Sequence, residues 1–174
     1  MSNDMTEIKE LLLDIAKGIT RFHEHLFLNV VETPRTVNLS FAAHADDISK
    51  LIGGHGKTVG ALRLILRRCF KDKDRLARLN VAEATVGEKL PQDPFKANPE
   101  YDTAYEIELL QDAMEMITGE KPAVEEIKTD AESSTLVVRH PMAPDKELET
   151  ALSVLWHAVG KAGGRKLYVE LVKP

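Results

Sequence analysis

A cluster of glycines beside a Lys-Thr pair is the feature that most limits how this chain can fold. It lies in residues 51–60, which have the sequence LIGGHGKTVG. Before it, residues 37–41 alternate apolar and polar side chains, the two-residue period of a half-buried strand. Residues 44–53 and 57–70 both have the periodicity of amphipathic helices. The pattern therefore predicts a glycine loop between two helices that follow a strand.

A nucleoside triphosphate-binding loop is one hypothesis for glycines followed by Lys-Thr. That loop requires the pattern G-x-x-x-x-G-K-[ST] between a strand and a helix. The residue five positions before Gly56 is Leu51, and the segment that precedes the loop has helical periodicity. Because both the spacing and the context fail, a nucleotide-dependent enzyme is disfavoured, and ATP binding in calorimetry is the observation that would revive it.

The order of elements around this loop recurs in the second half of the chain. Residues 1–86 contain helix, strand, strand, helix, glycine loop, helix and strand. Residues 87–99 contain three prolines and no periodicity, which indicates a linker. Residues 100–174 then give helix, strand, strand, helix and strand. We predict an α+β fold of two diverged copies of one unit that pack together.

Charge is distributed unevenly along the chain. The net charge is −5, which argues against indiscriminate nucleic-acid binding. Residues 1–86 have a net charge of +2 and residues 87–174 a net charge of −7. Residues 50–78 carry nine basic and two acidic side chains. A local basic patch of this kind can bind phosphates even on an acidic protein.

Composition indicates a soluble protein of a reducing compartment. The chain is 43% hydrophobic and 29% charged, as ordinary globular proteins are. No apolar run reaches the roughly 18 residues of a membrane span, and the polar first ten residues do not resemble a secretory signal. Cys69 is the only cysteine, so an internal disulfide is impossible. We expect a cytoplasmic protein that does not enter a membrane.

The stretch GGHG, residues 53–56, matches a G-x-x-G pattern in a specific context. An apolar strand and a short helix precede it, and a helix that opens with Lys-Thr and then a strand follow it. Residues 37–66 (VNLSFAAHADDISKLIGGHGKTVGALRLIL) resemble the K homology (KH) domain, and the preceding helix-strand-strand order is that of its type II, bacterial arrangement. The chain is similar here to the small single-KH RNA-binding proteins of bacteria. The resemblance covers roughly residues 5–86 and is strongest over residues 37–68.

The resemblance implies a site that clamps the backbone of about four unpaired nucleotides. Glycines let a nucleic-acid backbone approach closely, and free N–H groups of Lys57 and Thr58 would point toward a phosphate. Bases would lie along an apolar groove on the short helix. The expected RNA-binding residues are Gly53, Gly54, His55, Gly56, Lys57 and Thr58 at the loop, Lys50, Arg63 and Arg67 as supporting cations, and Ile48, Leu51 and Ile52 in the groove.

This loop departs from the family pattern at its two variable positions. The family usually has a basic residue at one of them, whereas this chain has Gly54 and His55. A neutral histidine is a weaker phosphate partner than lysine or arginine. An additional glycine makes the loop more costly to order. We therefore expect a modest affinity for RNA.

The helix after the loop has two chemically distinct faces. Four residues, Cys69 among them, form an apolar core face, and five basic residues lie on the opposite face. A solvated helix face is the alternative to an RNA contact for each of those cations. Leu64 falls among the basic residues, and we expect it to be exposed without a binding role. Cys69 is expected to be an inert core residue.

The second unit has no comparable loop between two helices. Residues 160–163 (GKAG) match G-x-x-G, but a strand follows at once, so we predict a helix C-cap there. The unit is similar to a degenerate KH-like domain, and its acidic charge favours a role in packing or protein contact. We expect His157 in the core or at its boundary, and Asp46 and Asp47 as first-turn charges of the short helix.

These patterns favour a non-catalytic RNA-binding protein whose partner is single-stranded RNA. The chain has no recognisable set of nucleophile, base and orienting group and no cluster of metal ligands, so we predict no enzyme activity, metal or cofactor. The alternative is a KH scaffold that acts as a protein–protein interaction module with weak or no nucleic-acid binding. A protein partner or self-association through the second unit is compatible with either function.

Overall fold

The computed structural model describes residues 5–70, 74–83, 103–141 and 145–174. The predicted linker, residues 87–99, lies outside the described residues. Two units, each a three-stranded sheet with helices on one face, make up the described chain. The predicted α+β fold class is confirmed.

The first unit follows the predicted order of elements. Its strand β2 is central, antiparallel to β1 and parallel to β3, with Leu39 opposite Val30 on one side and Leu79 on the other. Burial alternates along β2, as the two-residue period predicts. The elements are α1 (Met5–Ile19), β1 (Phe27–Glu32), β2 (Thr36–Ala43), α2 (Ala45–Ile52), α3 (Lys57–Cys69) and β3 (Leu76–Glu83).

The second unit has the same sheet topology with one helix fewer. Strand β5 is central, antiparallel to β4 and parallel to β6, and Leu136 lies opposite Val169. The elements are α4 (Thr103–Thr118), β4 (Ala123–Lys128), β5 (Ser133–Arg139), α5 (Lys146–Ala162) and β6 (Lys166–Val172). The predicted helix-strand-strand-helix-strand order is therefore present.

Capping residues explain where the helices of the second unit begin and end. The Asp145 side chain accepts hydrogen bonds from two backbone N–H groups in the first turn of α5. At the other end the N–H of Gly163 donates to the Gly160 carbonyl, and Gly164 has a φ of 76°. The GKAG stretch therefore ends a helix, as predicted. Gly119, with a φ of 85°, ends α4 in the same way.

The two units share one hydrophobic core. Helices α1 and α3 of the first unit pack against α5, and α4 packs against α1 and α3. The largest fully buried side chain among the described residues is Trp156 on α5, whose indole N–H donates to the Glu106 carbonyl on α4. Leu64 is 7% exposed, so its predicted exposure is wrong. The second unit covers the α3 face that would be open to solvent in a one-unit fold.

Hydrogen bonds to the edge strands show which helices correspond in the two units. The Arg63 guanidinium on α3 donates to the Leu79 carbonyl of β3, and the Ser153 hydroxyl on α5 donates to the Val169 carbonyl of β6. Each pair is separated by 16 residues. Helix α5 is therefore the counterpart of α3.

The second unit is correspondingly shorter before that helix. Leu39 and Leu136 occupy equivalent places on the central strands, because each lies opposite the strand residue that receives the helix hydrogen bond. From Leu39 to Arg63 the residue number rises by 24, whereas from Leu136 to Ser153 it rises by 17. The described part of this shorter interval contains no counterpart of α2 and no G-x-x-G pattern.

Candidate nucleic-acid interface

A buried carboxylate fixes the position of α2. The Oδ2 atom of Asp47 accepts the backbone N–H groups of Arg21 and Phe22 at 3.0 and 2.8 Å, and its Oδ1 accepts the Lys50 ammonium at 2.9 Å. Asp46 and Asp47 both lie in the first turn of α2, as predicted, but Asp46 is exposed whereas Asp47 is 0% exposed. The physical reason is that the segment after α1 needs an acceptor for its two N–H groups. Asp47 thereby anchors that segment beside α2.

The end of α2 and the start of α3 depend on two glycines with positive φ. Gly53 has a φ of 75° and a ψ of 169°, a region that only glycine adopts readily. A Cβ atom at Gly53 would lie 2.2 Å from the Thr58 Oγ1 atom. Gly56 has a φ of 74° and precedes the first residue of α3. These two glycines are the first and last residues of the G-x-x-G pattern.

The two variable residues between them are exposed and differ in backbone strain. A Cβ atom at Gly54 would meet no described atom within 4 Å. His55 has a φ of 55°, the one positive φ of a described residue other than glycine. The loop therefore presents an open backbone at Gly54 and an imidazole at His55.

The amides of the loop are partly used within the loop. The Gly56 N–H donates to the Gly53 carbonyl at 3.1 Å, and the Lys57 N–H donates to the Gly54 carbonyl. The expectation of a free Lys57 amide is therefore wrong, because a single 3₁₀ turn over Gly54–Gly56 uses it. The Lys57 side chain is exposed at the first position of α3.

The loop opens onto a cleft between the two units. The cleft has a volume of about 1140 Å³. One wall is the first unit, with the end of α1, the last turns of α2, and the loop; the other wall is α5 together with Tyr168 of β6. Of the residues predicted to bind RNA, the cleft is lined by Lys50, Gly53, Gly54, His55, Lys57 and Thr58.

The remaining predicted residues do not line this cleft. Arg63 is held against the edge of β3 by its hydrogen bond to Leu79, and Arg67 is exposed on α3. Leu51 is 0% exposed, so its assignment to an open groove is wrong. It belongs to the core beneath α2. The groove prediction leaves only half-buried Ile48 and Ile52, which is 37% exposed.

Several residues that line the cleft were not predicted from the sequence. Arg21 and His23 come from the segment that Asp47 anchors, and Lys161 comes from α5. His157 is exposed on α5, so its expected place in the core or at its boundary is wrong, and its ring centroid lies 5.7 Å from that of Tyr168. No local pattern indicates these residues. Arg21 and His23 meet the loop through the contact of their segment with α2, and His157 and Lys161 meet it only through packing of the two units.

The cleft is predominantly basic. Among the described residues, four Lys or Arg side chains and three histidines line it, and Glu149 is the one that contributes a carboxylate. Burial raises the pKa of Glu149, but the hydrogen bond from the Leu171 N–H and the nearby Lys146 ammonium outweigh it, and its pKa lies below the usual range. That carboxylate is therefore already bound to protein donors. Lys50 is likewise paired with Asp47.

The part of the chain that the structure describes contains neither a helix that could span a membrane nor a candidate metal site. None of its helices is long and apolar enough to cross a membrane. Its His, Cys, Asp and Glu side chains form no group of three arranged to hold a metal ion.

The fold and the loop together define a class of protein domain. A helix and two strands lead to a short helix, a G-x-x-G loop, a second helix and a strand parallel to the central one, which is the arrangement of a type II KH domain. The family model of the KhpA/KhpB KH domain matches residues 9–81. The first unit of this chain is a KH domain.

The chain is also similar to a protein whose name states RNA binding. The RNA-binding protein KhpA of Borreliella burgdorferi is 27% identical over 74 residues, which are 42% of this chain and 90% of that protein. No solved structure matches the chain significantly.

Proposed function

We propose that this protein binds single-stranded RNA without catalysis and clamps the RNA backbone at Gly53–Thr58. Three findings support the proposal: the KH domain, a relative named as an RNA-binding protein, and the exposed loop at the mouth of a basic cleft. The loop is the observation that supports the proposal most, because its two positive-φ glycines leave the backbone of Gly54 and His55 open to solvent.

The geometry suggests how the loop holds a phosphate. With no side chain and no described atom near its Cβ position, Gly54 lets a phosphodiester approach the protein backbone. Helix α3 starts immediately afterwards, and its N-terminal partial positive charge favours an anion at that place. The exposed Lys57 ammonium supplies a full charge beside it. Lys50 contributes less, because Asp47 already neutralises it.

We also infer that the second unit is a diverged copy that has lost the clamp, with units at residues 1–86 and 100–174. The equal spacing of the helix-to-edge hydrogen bonds supports a common plan, and the shorter interval before α5 accounts for the missing loop.

The first experiment compares two variants of the loop that have nearly the same shape and differ in charge. Gly54→Asp/His55→Asp should abolish binding of a fluorescein-labelled single-stranded RNA octanucleotide of randomised sequence, measured by fluorescence anisotropy, because two carboxylates would repel the phosphates. Gly54→Asn/His55→Asn is the matched control, since asparagine has nearly the same shape, tolerates positive φ and carries no charge. Wild-type affinity in the Asp variant would remove the loop from the RNA site.

Salt dependence separates RNA binding from the alternative of a protein-interaction module. RNA binding predicts an affinity that falls with salt, and Lys57→Ala should make the slope of log K against log salt shallower by about 0.7, one ionic contact with a single strand. Lys128→Ala removes an equally exposed charge away from the cleft and should leave the slope unchanged. If the wild-type protein bound no RNA at any salt concentration, the interaction-module alternative would be favoured.

A further inference from the structure

The second wall of the cleft is an ordered surface contributed by α5 and β6. Glu149, Ser153, His157 and Lys161 are spaced four residues apart along α5 and therefore lie on one side of the helix. The first two are occupied: Glu149 accepts the Leu171 N–H, and Ser153 bonds the Val169 backbone. His157, whose ring lies beside that of Tyr168, and Lys161 are left facing the cleft.

We propose that this wall is the second half of the RNA site. An RNA strand clamped at the glycine loop continues into the cleft between the units, where a base stacks on the His157–Tyr168 ring pair and the next phosphate meets the Lys161 ammonium. The inference rests on the proposed function, and it gives the clampless unit a direct part in binding.

The ring pair has the properties of a base-stacking platform. Tyr168 is 47% exposed although it is a large aromatic side chain, and His157 beside it is also exposed. Their ring centroids lie 5.7 Å apart with an angle of 40° between the planes. Every nucleobase has a π-face, so aromatic rings next to a cation bind single strands with little sequence preference.

Charge complementarity selects a polyanion as the occupant of the cleft. The second half of the chain is acidic as a whole. The ionisable side chains that it contributes to the cleft are nevertheless Lys161, His157 and Glu149, and the Glu149 carboxylate already accepts hydrogen bonds from protein donors. Arg21 and Lys57 add positive charge from the first unit. The cleft is also continuous with the loop, so a strand held there enters it without crossing other surface.

A comparison of the two sides of the α3–α5 contact explains why the cleft is open at the glycine loop. The packing is reciprocal, because α1 contacts α5 and α4 contacts α3. On the side away from the loop, Arg68 of α3 reaches Asp145 and Glu147 at the start of α5 at 2.8 and 3.2 Å, and closes that side with ion pairs.

On the loop side of the α3–α5 contact, the residue equivalent to Arg68 has a short side chain. Since Arg63 and Ser153 are equivalent, Arg68 is equivalent to Ala158, while Asp145 and Glu147 are equivalent to His55 and Lys57. Ala158 lines the cleft opposite those two residues. A methyl group there leaves open the space that an arginine fills on the other side, and no carboxylate among the described residues forms an ion pair with Lys57.

The test compares short and long RNA on the full-length protein. A tetranucleotide occupies only the loop clamp, whereas an octanucleotide also reaches the second wall. Lys161→Glu/Tyr168→Ala should weaken binding of the octanucleotide by at least about tenfold, the effect of losing one base–aromatic stack, and should change binding of the tetranucleotide far less. The matched control is Lys166→Glu/Phe27→Ala, which makes the same charge change and removes an equally exposed aromatic ring outside the cleft.

The outcomes distinguish this inference from the proposed function. If wild-type protein binds neither RNA, both fail. If Gly54→Asp/His55→Asp abolishes binding but Lys161→Glu/Tyr168→Ala binds the octanucleotide like wild type, only the second wall fails. A test that needs no variant is photo-crosslinking of wild-type protein to an octanucleotide containing 5-bromouridine. Crosslinks at His157 or Tyr168 are expected, and crosslinks confined to the first unit would overturn the inference.

Discussion

The four residues of the G-x-x-G loop have different structural roles. Gly53 and Gly56 are required by backbone geometry, since both have a φ near 75°. Gly54 has no such requirement and faces open space. His55 adopts a positive φ without being glycine, which costs conformational energy. The outer glycines therefore shape the loop, and the inner positions are free to meet a ligand.

Alanine substitutions should separate these roles. Gly53→Ala should lower the free energy of unfolding by about 1–3 kcal/mol, the cost of a strained backbone region, because its Cβ would also collide with the Thr58 side chain. Gly54→Ala is the matched control and should change stability by less than about 0.5 kcal/mol. Urea denaturation measures both, and equal stabilities would contradict the glycine geometry.

Among the secondary-structure elements, α5 both bonds the edge of β6 and forms one wall of the cleft. Its Ser153 and Glu149 side chains bond the free edge of β6, as Arg63 on α3 does for β3. An edge strand presents unpaired N–H and C=O groups that need partners. The same side of the helix then continues into the cleft. Stability and the proposed second wall therefore depend on neighbouring turns of one helix.

The Glu149 contact predicts a pH-dependent contribution to stability. The pKa of this carboxyl is lowered from its ordinary value of 4.5 in the folded protein. Its stabilising effect is therefore fully present above pH 4.5 and is lost as the pH falls through the lowered folded value. Glu149→Gln should reduce the unfolding free energy by about 1 kcal/mol at neutral pH, and the difference from wild type should shrink in acid.

Glu170→Gln provides the control for that measurement. It removes the same charge from an exposed position on β6, and its effect should be small at every pH. A difference between Glu149→Gln and wild type that grew as the pH fell below 4.5 would show that the sign of the pKa shift is wrong.

Considered as one folded body, the chain is held together by helices of both units. Residues of α1, α3, α4 and α5 belong to a continuous hydrophobic cluster. Trp156 is the only tryptophan of the chain and lies in the second unit, whereas Leu64 lies on α3 of the first. The fluorescence of Trp156 therefore reports unfolding of one unit while the other is mutated.

Leu64→Ala should destabilise both units together. Truncation of a buried leucine costs about 2–5 kcal/mol, and with a shared core the urea midpoint followed by Trp156 fluorescence should fall as much as that followed by circular dichroism. Val31→Ala, at a position that is 61% exposed in the first unit, should shift neither midpoint appreciably. A Trp156 midpoint that stayed at the wild-type value would mean that the units unfold independently.

Elements and their ends were predictable because they depend on neighbouring residues. The alternation along β2 follows from side-chain period, and the helix end at the GKAG stretch follows from the backbone freedom of glycine, which Gly164 uses with its φ of 76°. The loop between two helices follows from the same local signals. They carry little information about which element packs on which, and the predictions for Leu51 and Leu64 failed for that reason.

The primary structure thus contained the order of elements, the position of the glycine loop and the basic character of α3, because periodicity, glycine spacing and charge are local properties of the chain. Tertiary packing determined the features that these local properties do not determine. The burial of Asp47 depends on its contacts with the segment after α1 within the first unit, and the cleft that joins Lys57 to Tyr168 arises only when the second unit docks on the first. Residues more than a hundred positions apart meet there because both units bury their apolar helix faces in one core.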